Sequence, residues 1–296
     1  MEQQNQATLW EELSQKIAAC AFSKADLRTL CEMLQEASSD AAEEEISHYE
    51  PRERPPEQIR EEKELLRKGF ELKVAVRGID GETVFGNIPV VFDSPSFPED
   101  VQSLHINSEL DLRNLYNWTP RNRFELLLDF TKPELFNLSL LLSEPMPNKS
   151  HILVTGLNSL WVHGVYGQVV NFIAKKRTRR RFLHRQSPYR LLLLCGGFPF
   201  AFSIAAKLSG IMNTLFGELS GLLHSAAQVY VFFIALNLFR ILFDYARWIF
   251  PLVEYQDLTG TALKHRVVLG GLILGVLGNF IHDLLKIVPG FLTQNP

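Results

Sequence analysis

The sequence predicts an α+β domain preceded by a small α-helical module and followed by a C-terminal transmembrane helical region of two or three spans. Three observations carry this. Lys175–Arg190 (KKRTRRRFLHRQSPYR) holds eight Lys/Arg residues and no carboxylate, and from Leu191 onward the chain turns apolar. Between Phe70 and Gly156 apolar residues recur at every second position in short runs separated by Pro, Asn, Asp and Gly, the period of strands. Before Phe70 the spacing is helical.

In chain order, residues 1–46 read as the helical module. Leu9, Leu13 and Ile17 recur at helical spacing, and Ser23 is placed as the N-cap of a second amphipathic helix with Leu27, Leu30 and Leu34 as its stripe. The stretch Phe-Ser-Lys-Ala-Asp-Leu-Arg-Thr-Leu-Cys-Glu-Met-Leu, Phe22–Leu34, resembles the opening of small death-like helical adaptor domains found on bacterial immune effectors. The resemblance covers about a dozen residues and implies an adaptor-like module. Residues 47–69 form a charged linker. Pro51, Pro55 and Pro56 open it, and EQIREEKELLRK follows as a solvated connector helix or short stalk.

Residues 70–176 form the α+β domain. Leu72, Val74 and Val76 alternate, Asp80-Gly81 turns the chain, and Thr83-Val84-Phe85 returns as a hairpin. Further strands are expected at 101–106, 123–130, 136–142 and 151–155. A helix over 158–176 follows, with Leu160, Trp161, Val165, Val169 and Phe172 on its apolar face. The Gly156–Ser159 junction could hold an anion on backbone amides, but without a lysine or a glycine run Asn158 or Ser159 is better read as the helix N-cap.

Residues 177–190 form a basic juxtamembrane connector. Lys175, Lys176, Arg177, Arg179, Arg180, Arg181, Arg185 and Arg190 are assigned to anionic headgroups, at about 1 kcal/mol per basic residue near the surface. A single basic run directly against apolar chain argues against nucleic acid as the partner. By the positive-inside rule the N-terminal domains are cytoplasmic, and the protein sits in a plasma or inner membrane. Residues 191–296 supply apolar windows at 191–206, 222–242 and 267–288, the first two meeting the ~20-residue requirement. The third either spans or lies at the interface.

Polar residues within these windows are the other candidates. Asn237, Arg240, Asp244 and Arg247 are spaced three, four and three, on one helical face. They anchor the helix end at headgroup level or form a gate or subunit contact. His224 and Gln228, one turn apart, predict an interhelical face. Gly271, Gly275, Gly278 and His282 form a seam of small residues suited to close helix packing, within the chain or between copies.

The polar N-terminus is no secretory signal. Three scattered cysteines (Cys20, Cys31, Cys195) fit a reducing compartment and no zinc site. Sequons at Asn117, Asn137 and Asn148 would matter only on a lumenal domain. Nucleophile-elbow, phosphate-loop, zincin and dinucleotide motifs are absent, so no enzyme and no cofactor or metal is expected. The reading is a non-enzymatic membrane protein that assembles as a homo-oligomer. Residues 1–176 would bind a cytosolic protein or small ligand, and the output is membrane perturbation or channel formation. The alternative is a membrane-anchored scaffold that recruits a cytosolic partner.

Overall fold

The computed structural model describes residues 9–49, 54–133, 148–216, 221–256, 264–271 and 275. They divide into two compact units. The first comprises the described residues up to Leu194 together with the returning segment 251–256, and the second comprises those from Cys195 to Phe250 and beyond 263.

The first unit is built on a six-stranded antiparallel sheet in the order β1-β7-β6-β5-β3-β4. Its strands are β1 (Glu11–Lys16), β3 (Lys73–Gly78), β4 (Thr83–Asn87), β5 (Val101–Asn107), β6 (Asn122–Asp129) and β7 (His151–Gly156). A short strand β2 (Cys20–Phe22) lies outside it and pairs in parallel with β8 (Val253–Tyr255). The helices are α1 (Lys24–Ser47), α2 (Pro56–Gly69), α3 (Ile88–Phe92), α4 (Leu110–Tyr116), α5 (Ser159–Lys175), α6 (Arg181–His184) and α7 (Gln186–Leu192).

Alternation decides which face of the sheet is covered. Val74, Val76, Leu104, Ile106, Phe124, Leu126, Leu128, Ile152 and Val154 are buried in one core with Leu27, Leu30 and Leu34 of α1 and Val162, Val165, Val169 and Ile173 of α5. The intervening residues, His105, Glu125, Leu127 and Leu153 among them, are half-exposed. The hairpin turn sits where Asp80-Gly81 places it, with Gly81 at φ +92°, a conformation that favours glycine.

The α1 N-terminus forms as its sequence dictates. The Ser23 hydroxyl accepts from the Asp26 N–H at 3.2 Å, and the Asp26 carboxylate accepts from the Ser23 N–H at 3.0 Å, a reciprocal capping box. Asn158 caps α5, accepting from the Trp161 N–H at 3.2 Å.

Four expectations change. Residues 11–16 form a strand, not a helix, because β1 pairs with β7 over its whole length, Leu13 opposite Val154. Pairing to a preformed sheet edge overrides helix propensity in so short a segment. Residues 1–46 are therefore not a separate helical module, since β1 and α1 complete the sheet and its core. The buried face of α5 is Val162, Val165, Val169 and Ile173, rotated from the expected one, and Leu160 is exposed. Residues 251–256 belong to the first unit rather than to the helical region. The strand expected at 136–142 lies outside the described residues.

In the second unit, α8 (Phe198–Phe216) and α9 (Gly221–Ile249) pack along a ladder of rings. Phe198 and Phe202 meet Phe232 at 6.0 and 4.8 Å, and Phe200 meets Phe239 at 6.2 Å. A π-turn over Leu193–Gly197 joins α7 to α8. Two helical stretches, Gln186–Thr214 and Gly221–Ile249, are long and apolar enough to cross a membrane, with only 11 % and 17 % of their most apolar windows buried. Core helices of a soluble domain would be mostly buried.

Candidate membrane-anchoring site

The chain enters the helical unit after α5 and α7 and leaves it after α9, and strand β2 lies between the two passages. On one side, the Ala21 N–H donates to the Lys176 carbonyl at 3.1 Å and the Thr178 N–H donates to the Ala19 carbonyl at 2.6 Å. On the other, the Cys20 N–H donates to the Leu252 carbonyl at 3.2 Å and the Gln256 N–H to the Phe22 carbonyl at 2.7 Å. The outgoing and returning segments therefore flank one buried strand. Phe22 makes this a core contact: its ring meets Phe130 edge-on at 6.4 Å, and Phe130 meets Tyr255 at 6.0 Å.

Side chains close the same junction. Arg180 forms an ion pair with Glu254, with side-chain exposures of 16 % and 10 %. Lys176 pairs with Asp26 at 2.6 Å. Burial pushes the Asp26 carboxyl up, but Lys176 and the Ser23 N–H and hydroxyl outweigh it and hold the group below its ordinary range.

This divides the basic block. Lys175, Arg177, Arg179, Arg181, Arg185 and Arg190 are exposed, with Phe182 and Leu191 exposed among them. Lys176 and Arg180 are half-exposed. Each has a carboxylate partner within the protein. Sequence separations of 150 and 74 residues concealed both partners.

In the second unit, Arg240, Asp244 and Arg247 are all buried. Arg240 Nε lies 3.7 Å and Arg247 Nη1 3.8 Å from the two Asp244 oxygens. Asn237 shares their face by spacing but donates to its own helix, to the Phe233 carbonyl at 2.9 Å. His224 and Gln228 contact each other at 3.1 Å on the exposed side of the chain. The Tyr245 and Trp248 rings stack at 6.2 Å, and His265 meets both. Gly271 and Gly275 are helical, and among the described residues a Cβ at either meets nothing within 4 Å. Gly278, His282 and most of the window 267–288 lie outside the described residues.

The anion-holding alternative at the Gly156–Ser159 junction is removed. Asn122 Oδ1 accepts the Leu157 and Asn158 N–H groups at 3.2 and 3.3 Å, and Asn158 takes that of Trp161. Glu44 accepts from the side-chain amides of both asparagines at 2.9 Å. Elsewhere in the first unit a cavity of about 460 Å³ opens between α1, α2 and α4, with Tyr116, Trp118 and Leu65 against Glu45, Arg54 and Arg121. Its volume is that of a small-ligand site. Two histidines have carboxylate partners that spacing could not reveal: His105 with Glu125 at 3.0 Å and His163 with Glu11 at 2.8 Å. Among the described residues no three His, Cys, Asp or Glu side chains cluster as metal ligands.

Compared with family models, curated proteins and solved structures, the chain matches none.

Proposed function

We propose that the chain is a membrane-embedded effector. In this reading a cytoplasmic α+β domain binds a partner or small ligand and, through a two-helix hairpin, biases assembly of copies into a membrane-perturbing or channel-like state. The observation that carries the reading is the flanking of β2 by the segments on either side of the hairpin. A tether needs one flexible connection. Here segments before and after the hairpin, at 176–178 and 252–256, are both hydrogen-bonded to β2, so in this reading a rearrangement of the domain reaches both helices.

Other features agree. The six exposed cations beside Phe182 and Leu191 suit an anionic cytoplasmic surface. Burial of the Arg240–Asp244–Arg247 group favours a contact between helices over a headgroup anchor. The cavity between α1, α2 and α4 gives the domain a place for a ligand. Gly271 and Gly275, four residues apart, have the small-residue spacing that suits close packing against another copy.

Dye release from anionic liposomes by wild-type protein and by the double variant Gly271→Leu, Gly275→Leu tests this. The expected result is release by wild type and its loss in the variant, with far-ultraviolet circular dichroism of the two proteins matching to show that the variant is folded. Liposomes that stay sealed at every wild-type density, with and without candidate partners, overturn the effector reading and leave the membrane-anchored scaffold.

A further inference from the structure

The cavity between α1, α2 and α4 contains two ionic networks, one closed and one open. Both Glu62 oxygens are taken, one by the Tyr49 hydroxyl and the other by the Arg54 guanidinium. That network asks nothing of a ligand. Glu45 differs: its side chain is only 6 % exposed, yet it lines the cavity. Its Oε2 accepts the Arg121 backbone N–H at 3.0 Å. Its Oε1 has only Arg121 Nε at 3.8 Å, beyond hydrogen-bond reach. Among the described residues neither Oε1 nor the Arg121 guanidinium makes a hydrogen bond. A carboxylate so buried is costly unless its oxygens are satisfied, and the guanidinium beside it offers five donors.

The surroundings of this open pair narrow the ligand. Leu65, Tyr116 and Trp118 line the same cavity, and all three are exposed. Glu45 and Glu62 balance Arg54 and Arg121 in formal charge. A simple cation would meet Arg121, and a simple anion would meet Glu45. A ligand with both charges side by side avoids either repulsion. In an α-amino acid, standard bond lengths place the ammonium nitrogen and a carboxylate oxygen roughly 3 Å apart, close to the 3.8 Å between Glu45 Oε1 and Arg121 Nε. The two pairs of charges can therefore lie antiparallel, each contact a charge-assisted hydrogen bond.

Resting on the reading above that the domain takes a small ligand, we propose that this cavity binds a free α-amino acid with an aromatic or large apolar side chain. The ammonium donates to Glu45 Oε1, the carboxylate accepts from the Arg121 guanidinium, and the side chain packs on Leu65, Tyr116 and Trp118. The cavity's volume of about 460 Å³ accommodates such a molecule. The place also suits a sensing domain. Glu45 and Asp26, the partner of Lys176, stand near opposite ends of α1, 19 residues (45 − 26) and about 28 Å apart along one helix.

The test is isothermal titration calorimetry of the detergent-solubilised full chain with L-phenylalanine, L-tryptophan and L-leucine in turn. Saturable binding of at least one is expected. Its N-acetyl form, which lacks the ammonium, and its amide, which lacks the carboxylate, should each bind roughly tenfold or more weakly. E45Q and R121Q should weaken the parent amino acid by a similar factor, with far-ultraviolet circular dichroism matching wild type; the two modified ligands make the same test without any variant. No saturable binding of the three at millimolar concentration, or equal binding of the modified and parent forms, overturns the site. Dye release from liposomes by the same preparations separates this outcome from the reading it rests on. Release without amino-acid binding overturns this site alone, whereas binding with liposomes that stay sealed keeps the site and overturns the effector.

Discussion

Arg180, in the basic block, and Glu254, beyond the second long apolar helix, form an ion pair although 74 residues separate them. The pair joins the outgoing and returning passages of the chain on either side of β2. Both side chains are largely desolvated, so breaking the pair is expected to be destabilising by about 1–3 kcal/mol. Arg180→Ala and Glu254→Ala are each expected to lower the thermal midpoint of the detergent-solubilised protein. The double variant should lose clearly less than the sum of the two. Strict additivity would show that the pair does not couple the two passages.

Much of the sheet was legible in the sequence because strand alternation is local. The hairpin, the strands at 101–106, 123–130 and 151–155, and the Ser23 and Asn158 caps needed only neighbours in sequence. What was not legible depends on distant pairing. Leu9, Leu13 and Ile17 fit a helix as well as a strand, and only β7 decides between them. Strands of three residues, Cys20–Phe22 and Val253–Tyr255, are too short to carry a period. The return of the chain to the domain therefore leaves little trace in the sequence beyond Val-Glu-Tyr, Val253–Tyr255, which alternates as a short strand does. The basic block was visible as charge, but its division into six exposed and two paired residues depends on Asp26 and Glu254.

Asp26 should make stability acid-sensitive. Its folded-state affinity for protons is below the ordinary value of 3.8. The stabilisation is therefore fully present above that value and lost as pH falls below it through the lowered folded-state value. Asp26→Asn is expected to be less stable than wild type at pH 7 and to lose part of the acid dependence below pH about 4. Unfolding midpoints measured from pH 7 to pH 3 check this, and parallel curves for the two proteins would refute it.

Lipid contact should follow exposure rather than position in the run. Neutralising Arg177, Arg179, Arg181 and Arg185 to Gln is expected to weaken association with anionic lipid by about 1 kcal/mol each, roughly fivefold per residue. Quenching of tryptophan fluorescence by brominated anionic lipid, compared with brominated neutral lipid, reads the preference. Lys176→Gln and Arg180→Gln should instead lower stability with little change in lipid preference.

The three thiols should separate by burial. Cys195 is exposed, whereas Cys20 and Cys31 are buried. Burial pushes the Cys20 thiol up to about 11, against a smaller opposing effect of Arg177, and raises Cys31 further, with Glu32 adding to it. N-ethylmaleimide at pH 8 is expected to spare Cys20 and Cys31 in the native protein, adding at most once there, and to add three times after denaturation, as counted by intact mass. A second addition under native conditions would mean that β2 or α1 opens.

Gly156 is the one position where β7 passes so close to its neighbours that a side chain has no room. A Cβ there would lie 2.3 Å from Asn122 Oδ1 and 2.9 Å from Val162 Cγ2. Asn122 has little freedom to yield: it accepts the Leu157 and Asn158 N–H groups and donates to Glu44. Val162 is fully buried against the sheet. Gly156→Ala is therefore expected to cost about 1–3 kcal/mol, the range for overpacking. Adding Val162→Ala relieves only one of the two clashes, so the double variant should recover little and gain a cavity penalty. Chemical denaturation of the three variants in one detergent distinguishes the causes. Full recovery in the double variant would place the strain on Val162 alone and leave the Asn122 network free to adjust.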